Sequence, residues 1–592
     1  MTCATLPETR VRVQRNDAES DRTMSFFSAG RAARDLDERF RLILVGSLVG
    51  AFSGGAAVAL TRGLAAGSAL LAPARRSPAA FLLPMAGAGL AVIVLRTVFR
   101  EGGGHGVPEV IYAISRRGGL LRLRSAFSRL ISSLLTIISG GSAGPEAPIV
   151  ISGSSLGSNI ATWFGLNDRQ RYVIVGCGGA GAISAIFNAP MAGIAFTLEA
   201  ILGEWTPVHL VPIAMASVVA TEVSRLLQGN QIPFSHGHME AGLGDLAASL
   251  GLALLAAAGT VALMRGLRLM SGASCRFIGS PVARAATGGV AVGVLAIFCP
   301  QVMGEGYEFV RDAIHGTAGA GLWMVGVLTV AKIVATCLTI GTGGSGGIFA
   351  PCLVIGSFGG VFYARLLQWV GWPMAAGGES LFALLGMAGM LSGVLQAPLT
   401  GILLILEITG SYNLALPVVL VAVLTATLSQ RLEPHSIYHR ELIERDALLR
   451  PGTDARVLAD MNLDEFVEDQ QVMLHPEQTL RDVVRHTLET QQTIYPVVDP
   501  DTQAYLGLVD TNVLRSHLFD PALHATVLVE QIMLRSVRPL SPRMDLIDVM
   551  DRFEIEGLTC LPVVHHGVCL GMIPKLRILE QYRRELILQE NR

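Results

Sequence analysis

The sequence predicts a polytopic α-helical membrane protein made of two inverted-repeat halves with re-entrant half-helices, followed by a water-soluble α/β tail. Three observations carry this: an uneven charge distribution, an internal repeat, and a change of pattern after residue 440. Residues 41–440 hold 38 Asp, Glu, Lys or Arg in 400 positions, whereas residues 441–592 hold 40 in 152 and residues 1–40 hold 14 in 40. A soluble domain is about one quarter charged, so only the two ends fit that description. The 592-residue chain balances 45 basic against 47 acidic side chains, with no basic tract. That excludes the positive surface a nucleic-acid binder needs.

Along the chain, residues 1–40 are polar and charged and lack the short apolar core of a secretory signal. They read as a cytoplasmic N-terminal segment. Apolar stretches begin at 42–60 and 79–98 and recur up to Leu428, several of them near the roughly 20 residues that span a bilayer. Shorter ones, at 149–156, 348–355 and 387–395, are bounded by Gly and Pro and predict half-length helices. The 66 glycines suit tightly packed membrane helices. The eight cysteines are scattered without a CxxC pair, which excludes a disulfide scaffold or a structural zinc site.

The repeat is the stronger signal. GGSAGPEAPIVISGSSLG at 140–157 and GGSGGIFAPCLVIGSFGG at 343–360 share nine of eighteen positions. NAPMAGIAFTLEAI at 188–201 and QAPLTGILLILEIT at 396–409 share six of fourteen. Two blocks recur in the same order at nearly the same separation, so the membrane part is two related halves. Transporters built this way place their site at the repeat interface.

After Arg440 short β-type runs (494–498, 505–509) alternate with helical patterns (479–488, 511–518). The order returns at 560–564, 568–573 and a final helix from Lys575. Two α/β units of similar size form the tail.

Three Gly-rich segments lead into apolar runs: GGGHGVP at 102–108, GGSAGPEAP at 140–148 and GGSGGIFAP at 343–351. Pro suits the first turn of a helix and Gly lets the backbone approach a ligand. The first turn leaves N–H groups unpaired and carries partial positive charge. Inside hydrocarbon those donors need a partner, and several converging ends would bind an anion. Lys332 is the only lysine between residues 41 and 440, and the three segments hold no arginine. A backbone-built anion site is the economical reading.

These residues resemble the CLC family of chloride channels and chloride/proton exchangers, prokaryotic type, from about residue 41 to 449. GHGVP at 104–108 resembles the family's GSGIP, GPEAP at 144–148 its GREGP, GIFAP at 347–351 its GxFxP, and SIY at 436–438 the segment with the central tyrosine. The tail, residues 450–592, resembles a cytoplasmic pair of CBS domains. GSAGP at 141–145 offers a second register for the middle motif. Only the first register brings Gly153 and Gly157 onto family glycines, and the internal repeat then sets Glu146 opposite Phe349. Glu146 is therefore the expected gate. A carboxylate at a helix N-terminus competes with chloride for the same N–H groups, and protonation ends the competition. The resemblance implies chloride-binding positions at Gly104, His105, Gly106, Pro145, Ala147, Gly347, Ile348, Phe349, Ala350 and Tyr438. It also implies a homodimer and a multi-pass protein of a bacterial inner membrane with both termini cytoplasmic.

Two departures bear on mechanism. His105 replaces the serine of GSGIP, and an imidazole near chloride would make occupancy pH-dependent. The inner proton glutamate of family exchangers is replaced by Ala200, and Ile111 stands where some exchangers carry an accompanying acid. That leans towards a passive channel, with a proton-coupled antiporter using another route, such as Glu204, as the alternative. In the tail, Val513 and Arg577 stand where the resemblance implies the ribose-binding Asp of nucleotide-binding members, so adenine nucleotide at the CBS pair is left open but unsupported, and no other cofactor is expected. A CBS-bearing magnesium transporter is the competing class, and the membrane region offers too few acids for it. No metal-spaced cluster or Ser/His/Asp set points to an enzyme.

Overall fold

The computed structural model describes residues 38–102, 106–230, 242–315, 319–373, 377–443, 461, 463–468, 471–490, 492–514, 522–542 and 544–590. The chain divides into two compact units, residues 1–448 and 449–592.

The first unit is helical. Its first half runs through α1 Glu38–Arg75, α2 Leu83–Ile93, α3 Val107–Arg116, α4 Leu123–Ile138, α5 Glu146–Trp163, α6 Asp168–Phe187, α7 Pro190–Phe196 and α8 Pro207–Gln228. The second runs through α9 Leu243–Phe277, α10 Pro281–Phe298, α11 Tyr307–Ile314, α12 Leu322–Gly341, α13 Phe349–Val370, α14 Gly378–Leu395, α15 Pro398–Thr409, α16 Ala415–Leu432 and α17 Ile437–Ile443. Among the described residues nine helices are long and apolar enough to cross a membrane.

The short helices are not where hydropathy alone put them. The runs at 149–156, 348–355 and 387–395 belong to α5, α13 (with its cap residue Ile348) and α14, which have 18, 22 and 18 residues. Buried hydroxyls such as Ser152, Ser154, Ser155 and Ser158 interrupt the apolar run without ending the helix. The helices too short to span include α3, α7, α11, α15 and α17, with 10, 7, 8, 12 and 7 residues. Proline in the first turn starts α3, α7 and α15.

The repeat is visible in the packing. Within each half the Gly-led helix lies directly on the next one through a mutual glycine pair. A Cβ on Gly153 would sit 2.3 Å from the Gly178 carbonyl oxygen, and one on Gly178 would sit 2.1 Å from that of Gly153. Gly356 and Gly386 repeat this at 2.3 and 2.1 Å. Such backbone-to-backbone contact admits no side chain, which is how small residues hold membrane helices together.

The second unit is α/β. Strands β1 Ile494–Val498 and β2 Tyr505–Asp510 pair antiparallel, as do β3 Cys560–His565 and β4 Val568–Pro574. The register shifts at equivalent points, Val497/Val498 and Val563/Val564. Leu474 bridges Val497 and Leu540 bridges Val563, both in parallel. Its helices are α18 Leu480–Glu489, α19 Val529–Ile532, α20 Leu546–Glu556 and α21 Lys575–Glu590. Leu508, Val549, Phe553, Leu561, Ile573 and Ile578 share one buried core. The helix expected at 511–518 is a turn through residue 514, and its remainder lies outside the described residues.

Candidate functional site

The two repeats meet at their Gly-rich segments. Gly144 N–H donates to the Gly347 carbonyl at 2.8 Å, and Gly347 N–H donates to the Gly144 carbonyl at 2.7 Å. Each segment is braced by the opposite half. The Ser142 hydroxyl lies 3.1 Å from that of Thr336 on α12, and the Ser345 hydroxyl lies 2.8 Å from that of Ser132 on α4. This reciprocal bridge sets two helix N-termini side by side, α5 beginning at Glu146 and α13 at Phe349.

The third N-terminus joins them. Gly106 caps α3 with φ +82, and a Cβ there would lie 3.0 Å from the Ala147 carbonyl oxygen. A Cβ on Gly347 would lie 2.9 Å from the Ala147 nitrogen. Gly106, Pro145, Ala147, Gly347, Ile348, Phe349 and Ala350 are thus brought together around one point. Tyr438 is buried on α17, which packs against α3 and α14. Gly104 and His105 lie outside the described residues.

Glu146 reaches from its own repeat into the other. Its Oε2 accepts the Ala350 N–H at 3.3 Å, and its Oε1 accepts the Tyr307 hydroxyl at 3.0 Å. The residue is 1% exposed. Pro351 has no N–H, and Cys352 N–H already donates to Ile348, so the free donors of this turn are few. The carboxylate occupies one of them. A negatively charged group at a helix N-terminus is what the partial charge there attracts.

Position 200 is alanine and buried, and its neighbour Glu199 is committed elsewhere. The Glu199 carboxylate accepts from Leu399 N–H at 3.2 Å and Thr400 N–H at 2.9 Å, at the start of α15. Glu407 does the same for α7, accepting from Met191 at 2.9 Å and Ala192 at 2.8 Å. Glu204 lies just past the end of the turn that carries Ala200. It accepts the Tyr172 hydroxyl at 2.8 Å and sits 3.1 Å from His209 Nδ1. Ile111 is buried on α3.

Sequence reasoning missed Tyr307 and the exchanged glutamate caps. The caps had a signal, since Glu199 and Glu407 stand at matching places in the second repeated block. Tyr307 had none, because it lies outside both blocks.

The voltage gated chloride channel family model matches residues 86–430, more than half of the chain. The chain belongs to that family. It is a multi-pass membrane protein. A CBS domain model matches residues 529–584, the second of the two α/β units. The chain is 32% identical to a putative chloride channel protein ClcB-like of Ralstonia nicotianae over 390 residues, covering 64% of this chain and 90% of that one. It is 28% identical to an H(+)/Cl(-) exchange transporter ClcA of Vibrio cholerae over 375 residues, covering 62% and 79%. Its fold matches the crystal structure of a slow cyanobacterial Cl-/H+ antiporter with a TM-score of 0.62 at 22% identity, over 70% of this chain and 99% of that one.

Proposed function

We propose that the protein carries chloride across a membrane through a route at the junction of its repeats, with Glu146 as the gate. The carrying observation is the Glu146 carboxylate on the Ala350 N–H of the opposite repeat. A side-chain anion there stands in the place a free anion would take. Charged, the carboxylate blocks that place. Protonated, it loses its attraction to the helix end and leaves the N–H groups to chloride. Tyr438 and the backbone of Ile348 and Phe349 complete the anion path in this reading. The experiment is chloride efflux from proteoliposomes with the voltage clamped by valinomycin and potassium. Efflux no greater than from empty liposomes would refute it.

A second reading couples this flux to protons, and it stands level with the passive one. Ala200 and Ile111 remove the usual inner acids, which favours a channel. Against that, Glu204 is a titratable group four residues beyond Ala200, just past the end of its turn, joined to Tyr172 and His209. Among the relatives one is named a chloride channel and another an exchange transporter. A group that changes protonation beside the missing relay position is what an alternative proton entry needs.

In this reading the protein works as a homodimer with one route per subunit, in a bacterial inner membrane with both termini in the cytoplasm. The tail has a structural role. Val513 and Arg577 stand where a ribose-binding carboxylate would, and neither side chain can accept a hydrogen bond from a nucleotide ribose.

A further inference from the structure

Lys332 is fully buried in α12, in the middle of an apolar helix. A charged residue in a membrane segment calls for a function and a named partner. Its Nζ donates to the Val302 carbonyl at 2.9 Å and the Gly304 carbonyl at 2.9 Å. Both belong to the loop that leads into Tyr307. That loop is tight: Gly304 and Gly306 have φ of +58 and +87, and a Cβ on Gly306 would come 3.1 Å from the Lys332 Nζ. Gly304 N–H also donates to Gly140, in the segment that carries Glu146. The loop is thereby held at Val302 and Gly304, and it delivers the Tyr307 hydroxyl to Glu146 Oε1.

The same helix fixes the other side. The Ser142 N–H donates to Thr339 Oγ1 at 3.0 Å, and the Ser142 hydroxyl meets Thr336. One helix, α12, thus aligns donor and acceptor. Among the described residues, Glu305 acts electrostatically on both Glu146 and Tyr307, and Lys332 and Arg311 act on Glu305. Cys352 of α13 and Tyr438 of α17 are also within electrostatic reach of the carboxylate. From α4, Arg129 is engaged with Glu109 at 3.0 Å.

We propose that Tyr307 is a protein-supplied donor that holds the gate closed, that Lys332 is the positioning residue that keeps it there, and that the two set the pH at which the gate releases. This rests on Glu146 being the gate. A hydrogen bond donated to a carboxylate favours its charged form. In this chain the charged form is the seated, blocking one. Removing the donor therefore eases protonation, and release follows at a lower proton concentration.

The test is the pH profile of chloride efflux from proteoliposomes for the full-length protein. Tyr307→Phe should move the half-maximum to more alkaline pH by about one unit, the scale of one charge-assisted hydrogen bond. Lys332→Met should shift it in the same direction, and the double variant should add nothing beyond the larger single effect. Lys332→Arg, which keeps a donor to the two carbonyls, should shift it less than Lys332→Met. An unchanged or acid-shifted midpoint for Tyr307→Phe, in protein eluting as wild type, overturns the proposal even if Lys332→Met cannot be purified. Glu146→Gln separates the two levels. If it abolishes the pH dependence while Tyr307→Phe keeps the wild-type midpoint, only this proposal falls. If it keeps the profile, the gate assignment falls and this proposal with it.

Discussion

Glu199 closes on Thr400, accepting its backbone N–H at 2.9 Å and its hydroxyl at 2.8 Å. The acceptor sits on the turn that continues one repeat's short helix, residues 197–202, and the donors on the first turn of the other's. Glu407 returns the contact to Met191 and Ala192. Two helix starts that would expose unpaired N–H groups are capped by each other's glutamates, which holds the halves together.

The exchange predicts a stability effect. Glu199→Ala removes three hydrogen bonds to a charged group and leaves the Thr400 N–H without its acceptor. Each such bond contributes roughly 1.5–3 kcal/mol, and the loss is discounted because the site is half-buried. The melting temperature in detergent should fall clearly for Glu199→Ala and Glu407→Ala, and less for Glu199→Gln, whose amide still accepts. Equal melting of all variants and wild type would show that the caps carry no load.

The glycine pairs predict a sharp contrast between two substitutions of the same kind. Gly153→Ala drives a methyl to within 2.3 Å of the Gly178 carbonyl, and α5 must move off α6. Overpacking of this sort costs about 1–3 kcal/mol or more. Gly55 in α1 has no atom within 4 Å of a built Cβ, so Gly55→Ala should be neutral or slightly stabilising. Size-exclusion profiles and melting in detergent compare them directly. A tolerated Gly153→Ala would mean that the two helices are not in backbone contact.

In the tail, Asp482 closes the start of α18 by accepting the Thr479 N–H at 3.0 Å and its hydroxyl at 3.0 Å. The Thr479 backbone bond, with the Thr479 hydroxyl and Arg485 beside it, lowers the Asp482 pKa below the ordinary carboxylate value. A depressed pKa means that the stabilisation is present above the unfolded value, near 3.9, and is lost as pH falls through the lower folded value. Asp482→Ala should cost about 1 kcal/mol at neutral pH and speed hydrogen exchange at the first amides of α18. It should make little difference in strong acid, and an effect that persisted there unchanged would remove the charge from the explanation.

The proton-coupled reading is tested at Glu204. If protons enter beside Ala200, a chloride gradient at zero voltage drives uphill proton movement in liposomes, and Glu204→Gln abolishes it while chloride efflux continues. Absence of proton movement in the wild type leaves the passive route standing.

Much of this was legible in the sequence. The repeat blocks marked Glu146 and Phe349 as equivalent, and both begin helices whose N-termini lie side by side. Gly153 and Gly157, used to choose the register, prove to be contact points on α6. Helix length was less legible, because buried serines in α5 lower its hydropathy while their hydroxyls are accommodated inside the bundle. Long-range partners were illegible: Tyr307 is 161 positions from Glu146 and carries no spacing signal. Lys332 stood out as a lone lysine, but only the structure joins it to the loop before Tyr307.

The central claim is that the Glu146 carboxylate blocks an anion path by occupying the α13 N-terminus. Its most direct test is chloride efflux from proteoliposomes from about pH 3, below the ordinary carboxylate value near 4.3, up to about pH 8, for wild type and Glu146→Gln. The neutral amide keeps the shape of the protonated carboxyl and cannot regain the charge. Wild-type efflux should rise as pH falls, and the Glu146→Gln rate should be flat across the range, at or above the wild-type acid rate. A Glu146→Gln profile that still rises with acid, in step with the wild type, would contradict the claim and place the gate on another residue.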